Sequence, residues 1–327
     1  MRARILIFIF LFNFLPFISH GEEVSNVIPI TNVADTATTV DKFVVPLNTT
    51  PDAIFQSLFD QGFIKDKQIF INIFSKKKGD IVAGAYKINL NMTPEKIASV
   101  LHFKPYMKWV VIPPGLRKEE IAELLKTNLG WTTSQKNKWI SYTKTKYDYI
   151  EGVYFPDTYL IPIAETPQQV ANRLTAKFNE KFAPYLVQFN KKNMQWTKGL
   201  TLASLVQREA ANDADMPLIA GILYNRLNQK MALGIDATLQ YIRGNKGKGW
   251  WAPITTTEKK INSPYNTYKN VGLPPHPIAN PGLPAIEAVL NPMETTCLYY
   301  LHDKDHVTHC ATTYEEHKIN IEKYLKK

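Results

Sequence analysis

The chain has 327 residues, 45% of them hydrophobic and 21% charged, and a net charge of +10. This composition excludes wholesale disorder and suits roughly two domains with sizeable cores. The lysines are scattered, with Lys76-Lys77-Lys78 and Lys326-Lys327 as the short runs, so a dedicated nucleic-acid module is excluded and an anionic envelope surface is the better match.

At the N-terminus, Arg2 and Arg4 precede an apolar run from Ile5 to Ile18 and the small-residue stretch Ser19-His20-Gly21. Residues 1–21 therefore read as a signal peptide or a membrane anchor. The run is shorter than the roughly 20 residues of a full span, and cleavage or retention is left open. Residues 22–42 lack periodicity and read as a flexible tether. Order is expected from about Phe43.

A strand–helix grammar then recurs. Val44 to Asn48 predicts a strand, and Pro51 to Phe59 a helix closed by Gly62. Tyr86 to Leu90 predicts another strand, followed by a helix over Pro94–Leu101 with Thr93 as N-cap and Pro94 at N1. Val110 to Gly115 and Lys118 to Leu125 repeat the pattern, with Gly130 as the stop. Over residues 43–109 this layout suits a small glycan-binding module, although β-α pairs occur in any α+β domain. Residues 110–193 hold a second β-α segment and a helical connection. There Val170, Leu174, Phe178 and Phe182 share one helical face. Glu151-Gly-Val-Tyr-Phe-Pro-Asp-Thr-Tyr159 reads as an ordered crossing segment. Residues 194–327 carry most of the polar constellations and form the expected catalytic domain of an α+β protein.

Within that domain, Leu202, Leu205 and Val206 fall on one helical face, and Glu209 falls on the same face. Burial disfavours the charged carboxylate, and a carboxylic acid that keeps its proton near neutral pH is what a general acid requires. The competing structural reading is an ion pair with Arg226. Asp215 and Pro217 predict the start of a second helix through Leu227, which brings Asn225 or Arg226 near Glu209.

Three loops favour chemistry. Gly234 to Tyr241 is polar at alternate positions, so an extended strand would put Asp236, Thr238 and Gln240 on one face. Tyr265, Asn266, Thr267 and Tyr268 gather rings, an amide and a hydroxyl. Gly272 to Gly282, with His276 and Asn280, is a rigid proline-rich loop. Aromatic faces with Asn, Thr and Asp side chains suit sugar rings. The histidines His302, His306 and His309 beside Cys310 lack zinc-ligand spacing, so no metal is expected. His306 and His317 are read as hydrogen-bonding partners near the C-terminus. No phosphate-binding glycine loop or Gly-x-Ser-x-Gly elbow is present, and no cofactor is expected. Cys297 and Cys310 could pair or remain thiols.

Taken in order, Leu202-Ala-Ser-Leu-Val-Gln-Arg-Glu209, Leu223-Tyr-Asn-Arg-Leu227, Asp236-Ala-Thr238, Tyr265-Asn-Thr-Tyr268 and Gly272-Leu-Pro-Pro-His-Pro-Ile-Ala-Asn-Pro-Gly282 resemble the YceG-like, endolytic murein transglycosylase family of bacteria. Glu151–Tyr159 and Thr313-Tyr-Glu-Glu-His317 match it too. The resemblance implies a LysM-like module ahead of an α+β catalytic domain with a helix-borne glutamate, which maps onto Glu209. It implies an inner-membrane enzyme facing the periplasm, acting within peptidoglycan glycan strands and working alongside peptidoglycan synthases. Asn225, Asp236, Thr238, Gln240, Tyr265, Asn266, Thr267, Tyr268 and Asn280 are the expected sugar contacts. The chain departs from the family at Ala237, usually proline, and at His276, usually glycine, which puts local loop geometry in question. Two rivals stand beside this reading. One is a hydrolytic muramidase with Asp236 as second carboxylate; the other is a non-catalytic glycan-binding scaffold.

Overall fold

A computed structural model describes residues 42–145, 151–247 and 249–326. The expected signal or anchor (1–21) lies outside the described residues, as does the tether apart from its last residue. Among the described residues no helix is long and apolar enough to cross a membrane. The fold mixes helices with sheets.

The first part runs β1 (Lys42–Val45), α1 (Pro51–Asp60), α2 (Lys67–Phe74), β2 (Gly84–Lys87), α3 (Pro94–Leu101) and β3 (Met107–Val111). The helix starts follow from local chemistry. Thr50, Asp66 and Thr93 each accept a backbone N–H of the first turn, satisfying a donor that the helix itself cannot. Phe43, Val45, Leu58, Phe70, Ile97 and Leu101 close a first core.

The second part continues with α4 (Lys118–Leu129), α5 (Thr133–Thr145), β4 (Thr158–Pro162), α6 (Pro167–Lys191), α7 (Trp196–Glu209), α8 (Met216–Asn228), α9 (Asp236–Arg243), α10 (Leu283–Leu290), β5 (Tyr299–His302), β6 (Thr308–Ala311) and α11 (Tyr314–Tyr324). Its core runs from Val110 to Leu290 and packs α7, α8 and α10 together. Two glycines permit the closest approaches. A Cβ at Gly199 of α7 would sit 2.2 Å from the Phe189 ring of α6, and one at Gly221 of α8 would sit 2.2 Å from the Met293 carbonyl.

One antiparallel sheet, ordered β1-β2-β3-β4, crosses both parts. Lys42 faces Lys87, and Met107 faces Pro162. The expected boundary between residues 109 and 110 thus falls inside β3, although the two cores divide between Leu101 and Val110. Trp109 Nε1 also donates to the Val45 carbonyl at 2.9 Å.

Two local expectations change. The crossing segment ends in a true strand, β4. Gly234 to Tyr241 is not extended: Ile235 is the N-cap, and Asp236 opens α9. The alternation of Asp236, Thr238 and Gln240 suits a strand. Helical geometry instead buries Ala237, Thr238 and Leu239 while Asp236 stays exposed. Ala237 sits in the first turn, where a proline would also fit.

Candidate active site

The site is built on the end of α7. Leu202, Leu205 and Val206 are fully buried, as their spacing requires, and Glu209 is the last helical residue. The chain turns extended at Ala210 (ψ 142°). Position alone places the carboxylate at the negative end of the helix dipole, which works against its ionised form.

Glu209 is half-buried. Loss of water pushes its carboxyl above the ordinary range. The hydrogen bond from Tyr300 opposes that shift, the Asp236 charge adds to it, and Arg208 and Arg226 pull it back. Tyr300 Oη donates to Glu209 Oε2 at 2.5 Å. Arg226 acts on the carboxylate through its charge and also binds backbone, with Nε donating to the Leu298 carbonyl (2.6 Å) and Nη1 to the Leu233 carbonyl (2.5 Å). Arg208 lies over the Trp251 ring, 3.8 Å from its centroid. The arrangement therefore provides one recessed carboxyl with a raised proton affinity, flanked by two arginines whose charges oppose that rise.

The residues expected to touch sugar fall into two groups. Asp236 and Tyr268 lie near the carboxylate: Tyr268 donates to Asp236 Oδ1, the Asp236 charge acts on Glu209, and the Glu209 charge acts on Tyr268. Tyr265 is half-buried and packs 5.2 Å from the Tyr241 ring. The other group is engaged in holding loops. Thr238 and Thr267 are buried and share a hydrogen bond (3.1 Å), while the Thr267 hydroxyl also accepts from Ile235 N. Buried Asn266 donates to the Lys259 and Ile261 carbonyls. Gln240 donates to the Trp251 and Ala252 carbonyls. Asn225 donates to the Thr295 and Cys297 carbonyls.

Asn280 is fully buried and acts as a junction. Its Oδ1 accepts from Gly152 N and Tyr154 N, both at 2.9 Å. Its Nδ2 donates to the Leu116 carbonyl and to Glu151 Oε2, both at 3.0 Å. Glu151 also receives the Lys118 N–H, at 3.1 and 2.9 Å to its two oxygens. Burial first, then the Glu119 charge, pushes Glu151 well up, while the Lys118 N–H, Arg117 and Lys118 oppose this. The proline-rich loop is tied to α7 itself: Ile278 N donates to Ser204 Oγ (3.1 Å) and Gly282 N to Gln207 Oε1 (3.0 Å). His276 does not occupy the positive-φ region, so a glycine is not required there.

Sequence reasoning missed Tyr300 and the role of Glu151. It also missed Arg117, which lies over the Tyr241 and Trp250 rings at 4.4 and 4.6 Å. The doubled Trp250-Trp251 after a glycine-rich turn was the available signal for the last of these.

The β5–β6 hairpin carries Tyr300. Cys297 and Cys310 form a disulfide across its base, settling what their spacing left open. Bridging two positions 13 apart restricts the unfolded chain, so the Cys297→Ala/Cys310→Ala variant is expected to lose about 2–4 kcal/mol in denaturant unfolding. A loss below about 0.5 kcal/mol would show that the bridge carries no stability. His309 pairs with Asp303 at 2.8 Å and stacks on Tyr324. His317 stacks on Tyr299 rather than serving chiefly as a hydrogen-bonding partner. Among the described residues no group of three His, Cys, Asp or Glu side chains is placed to hold a metal ion.

Comparison with known proteins bears on this geometry. The model of the YceG-like family matches residues 43–323. An endolytic murein transglycosylase of Streptococcus pneumoniae is 29% identical over 318 residues, which cover 86% of this chain and 58% of that protein. The chain thus spans a little over half the length of that relative. An endolytic murein transglycosylase of Bacillus subtilis is 29% identical over 316 residues, 89% of this chain and 86% of that protein. The crystal structure of a YceG-like protein from Listeria monocytogenes superposes with a TM-score of 0.58 at 25% identity, over 85% of this chain and 98% of that one.

Proposed function

Because the chain belongs to the YceG-like family, we propose that it is an endolytic peptidoglycan transglycosylase with Glu209 as its acid and base. The carrying observation is the placement of Glu209: a single recessed carboxyl at a helix end, raised in proton affinity by burial and held by one phenol. The similarity to endolytic murein transglycosylases supports the same reading.

In the proposed reaction Glu209 protonates the oxygen of the β-1,4 bond between N-acetylmuramic acid and N-acetylglucosamine. The C1–O bond breaks, the N-acetylglucosamine end leaves as an alcohol, and positive charge develops at C1. The substrate's own N-acetyl oxygen shields that centre. Glu209, now ionised, takes the proton of the C6 hydroxyl, and O6 closes on C1 to give a 1,6-anhydro end. No water is consumed. A group that gives and then takes one proton works best with an affinity shifted toward neutral pH.

Sugar contact is assigned to Asp236, Tyr265 and Tyr268. Asn225, Thr238, Gln240, Asn266, Thr267 and Asn280 support the loops, because their polar atoms are engaged by the protein. The β1-α1-α2-β2 unit is the proposed LysM-like glycan-binding module. The expected setting is the periplasmic face of the inner membrane, where cleavage would end nascent strands beside a synthase.

Asp236 also favours a second reading. A carboxylate facing Glu209 suits a hydrolytic muramidase. Mass spectrometry of glycans released from purified murein separates the two by one water: anhydro ends are expected, and reducing ends would replace the transglycosylase with a hydrolase.

A further inference from the structure

We infer that Tyr300 is a positioning residue that divides the duties of the Glu209 carboxyl, holding Oε2 so that Oε1 alone exchanges the proton with substrate. This rests on the reading of Glu209 as acid and base.

The contact joins residues 91 positions apart, with the phenol donating to Oε2 at 2.5 Å. The strand that carries it is restrained at several points. The Cys297–Cys310 disulfide closes the hairpin base. From α8, Asn225 donates to the Cys297 carbonyl and Arg226 to the Leu298 carbonyl. The adjacent ring, Tyr299, is occupied with Tyr314 and His317 of α11. Tyr300 is thus a fixed donor rather than a swinging side chain.

It is also a lasting donor. Burial and the neighbouring Glu209 charge push its own ionisation well above the ordinary phenol value, so the O–H survives at every working pH. It can donate to the neutral acid and to the carboxylate alike. While Oε2 accepts that bond, the proton of the neutral acid resides on Oε1. The same bond favours the ionised form. It therefore opposes burial and keeps the affinity within reach of a group that must also act as base. The other groups facing Glu209 are Asp236 from α9, Arg226 from α8, Arg208 from α7, and Tyr268 through its charge-sensitive bond to Asp236. Glu120 of α4 acts on Arg208. Of these, Tyr300 is the neutral donor on the carboxyl itself.

The sign follows directly. Tyr300→Phe removes stabilisation of the ionised form, so the Glu209 titration moves to higher pH, by about one unit. Because kcat/KM requires the protonated acid, its alkaline limb moves up by the same amount. The test is a carboxyl-carbon NMR titration of glutamate-labelled full chain, with Glu209 identified as the resonance lost in Glu209→Gln. Three proteins are compared: the natural chain, Tyr300→Phe, and a chain with 3-fluorotyrosine at position 300, which is a stronger donor of nearly the same shape. Upward and downward displacements, respectively, are expected, with matching limbs in kcat/KM on murein. Coincident titrations, or an activity loss equal at every pH, would overturn the inference. Murein cleavage that persists in Glu209→Gln would overturn the catalytic reading instead, since the titration reads Glu209 whether or not it is catalytic.

Discussion

Glutamine at position 209 is expected to lower the release of anhydro-ended glycans by at least ~10³-fold, because one residue serves both proton transfers and general acid–base catalysis contributes roughly 10²–10⁴. The fold should persist. Glutamine is nearly isosteric, and its carbonyl can still accept the Tyr300 hydroxyl. Stability gives an independent check. The Glu209 carboxyl has its affinity raised in the folded state, so between its unfolded and folded values the folded chain holds more proton than the unfolded one. Stability of the natural chain therefore falls across that window as pH rises. Glutamine removes the titration, so the melting temperature of Glu209→Gln relative to the natural chain should increase from pH 4 to pH 8. Natural-level release of anhydro ends by the variant would end the assignment. A melting difference that is flat with pH would show that the carboxyl is not strained by burial.

Several helix boundaries and the face that carries Glu209 were legible because their determinants are local. Thr93-Pro94 announces a helix start through a hydroxyl cap and a proline that has no N–H to waste, and α3 begins there, as α1 begins at Pro51. The apolar stripe of α7 fixed the face on which Glu209 lies. Gly130 ends α4 in the left-handed region, as a C-terminal glycine should.

The rest depends on contacts between distant segments. Asp236, Thr238 and Gln240 alternate as a strand would, but in the helix that forms there Thr238 turns inward with Ala237 and Leu239 while Asp236 stays exposed. Asparagine, threonine and glutamine have the chemistry of sugar ligands. That chemistry is equally suited to bridging loops without regular hydrogen bonds, and Asn266 and Thr267 are buried doing so. Tyr300 gave no local sign of its role, since only the hairpin's docking against α7 and α8 brings its hydroxyl to Glu209.

Asn280→Ala is expected to cost about 3–5 kcal/mol of stability. The side chain is fully buried and makes four hydrogen bonds. Two of its partners have other support. The Leu116 carbonyl still accepts from Asn280 N, and Glu151 still accepts from Lys118 N. Gly152 N and Tyr154 N do not share that support: alanine leaves them without the acceptor they share, in a place too tight to hydrate freely, since a Cβ on Gly152 would already meet Leu200 at 2.8 Å. Orphaned buried donors, not the lost bonds themselves, set the magnitude. Asn280→Asp separates the two halves of the junction. It keeps the acceptor for both N–H groups but turns a second carboxyl toward Glu151. With both ionised the pair repels; as pH falls the pair binds a proton and the repulsion relaxes. Asn280→Asp should therefore recover stability toward acid relative to the natural chain more strongly than Asn280→Ala, which toward Glu151 loses only the amide donor. Denaturant unfolding of the three proteins at pH 5 and pH 8 reads this directly. A loss under about 1 kcal/mol for Asn280→Ala would mean that the proline-rich loop is held to α7 by Ser204 and Gln207 alone.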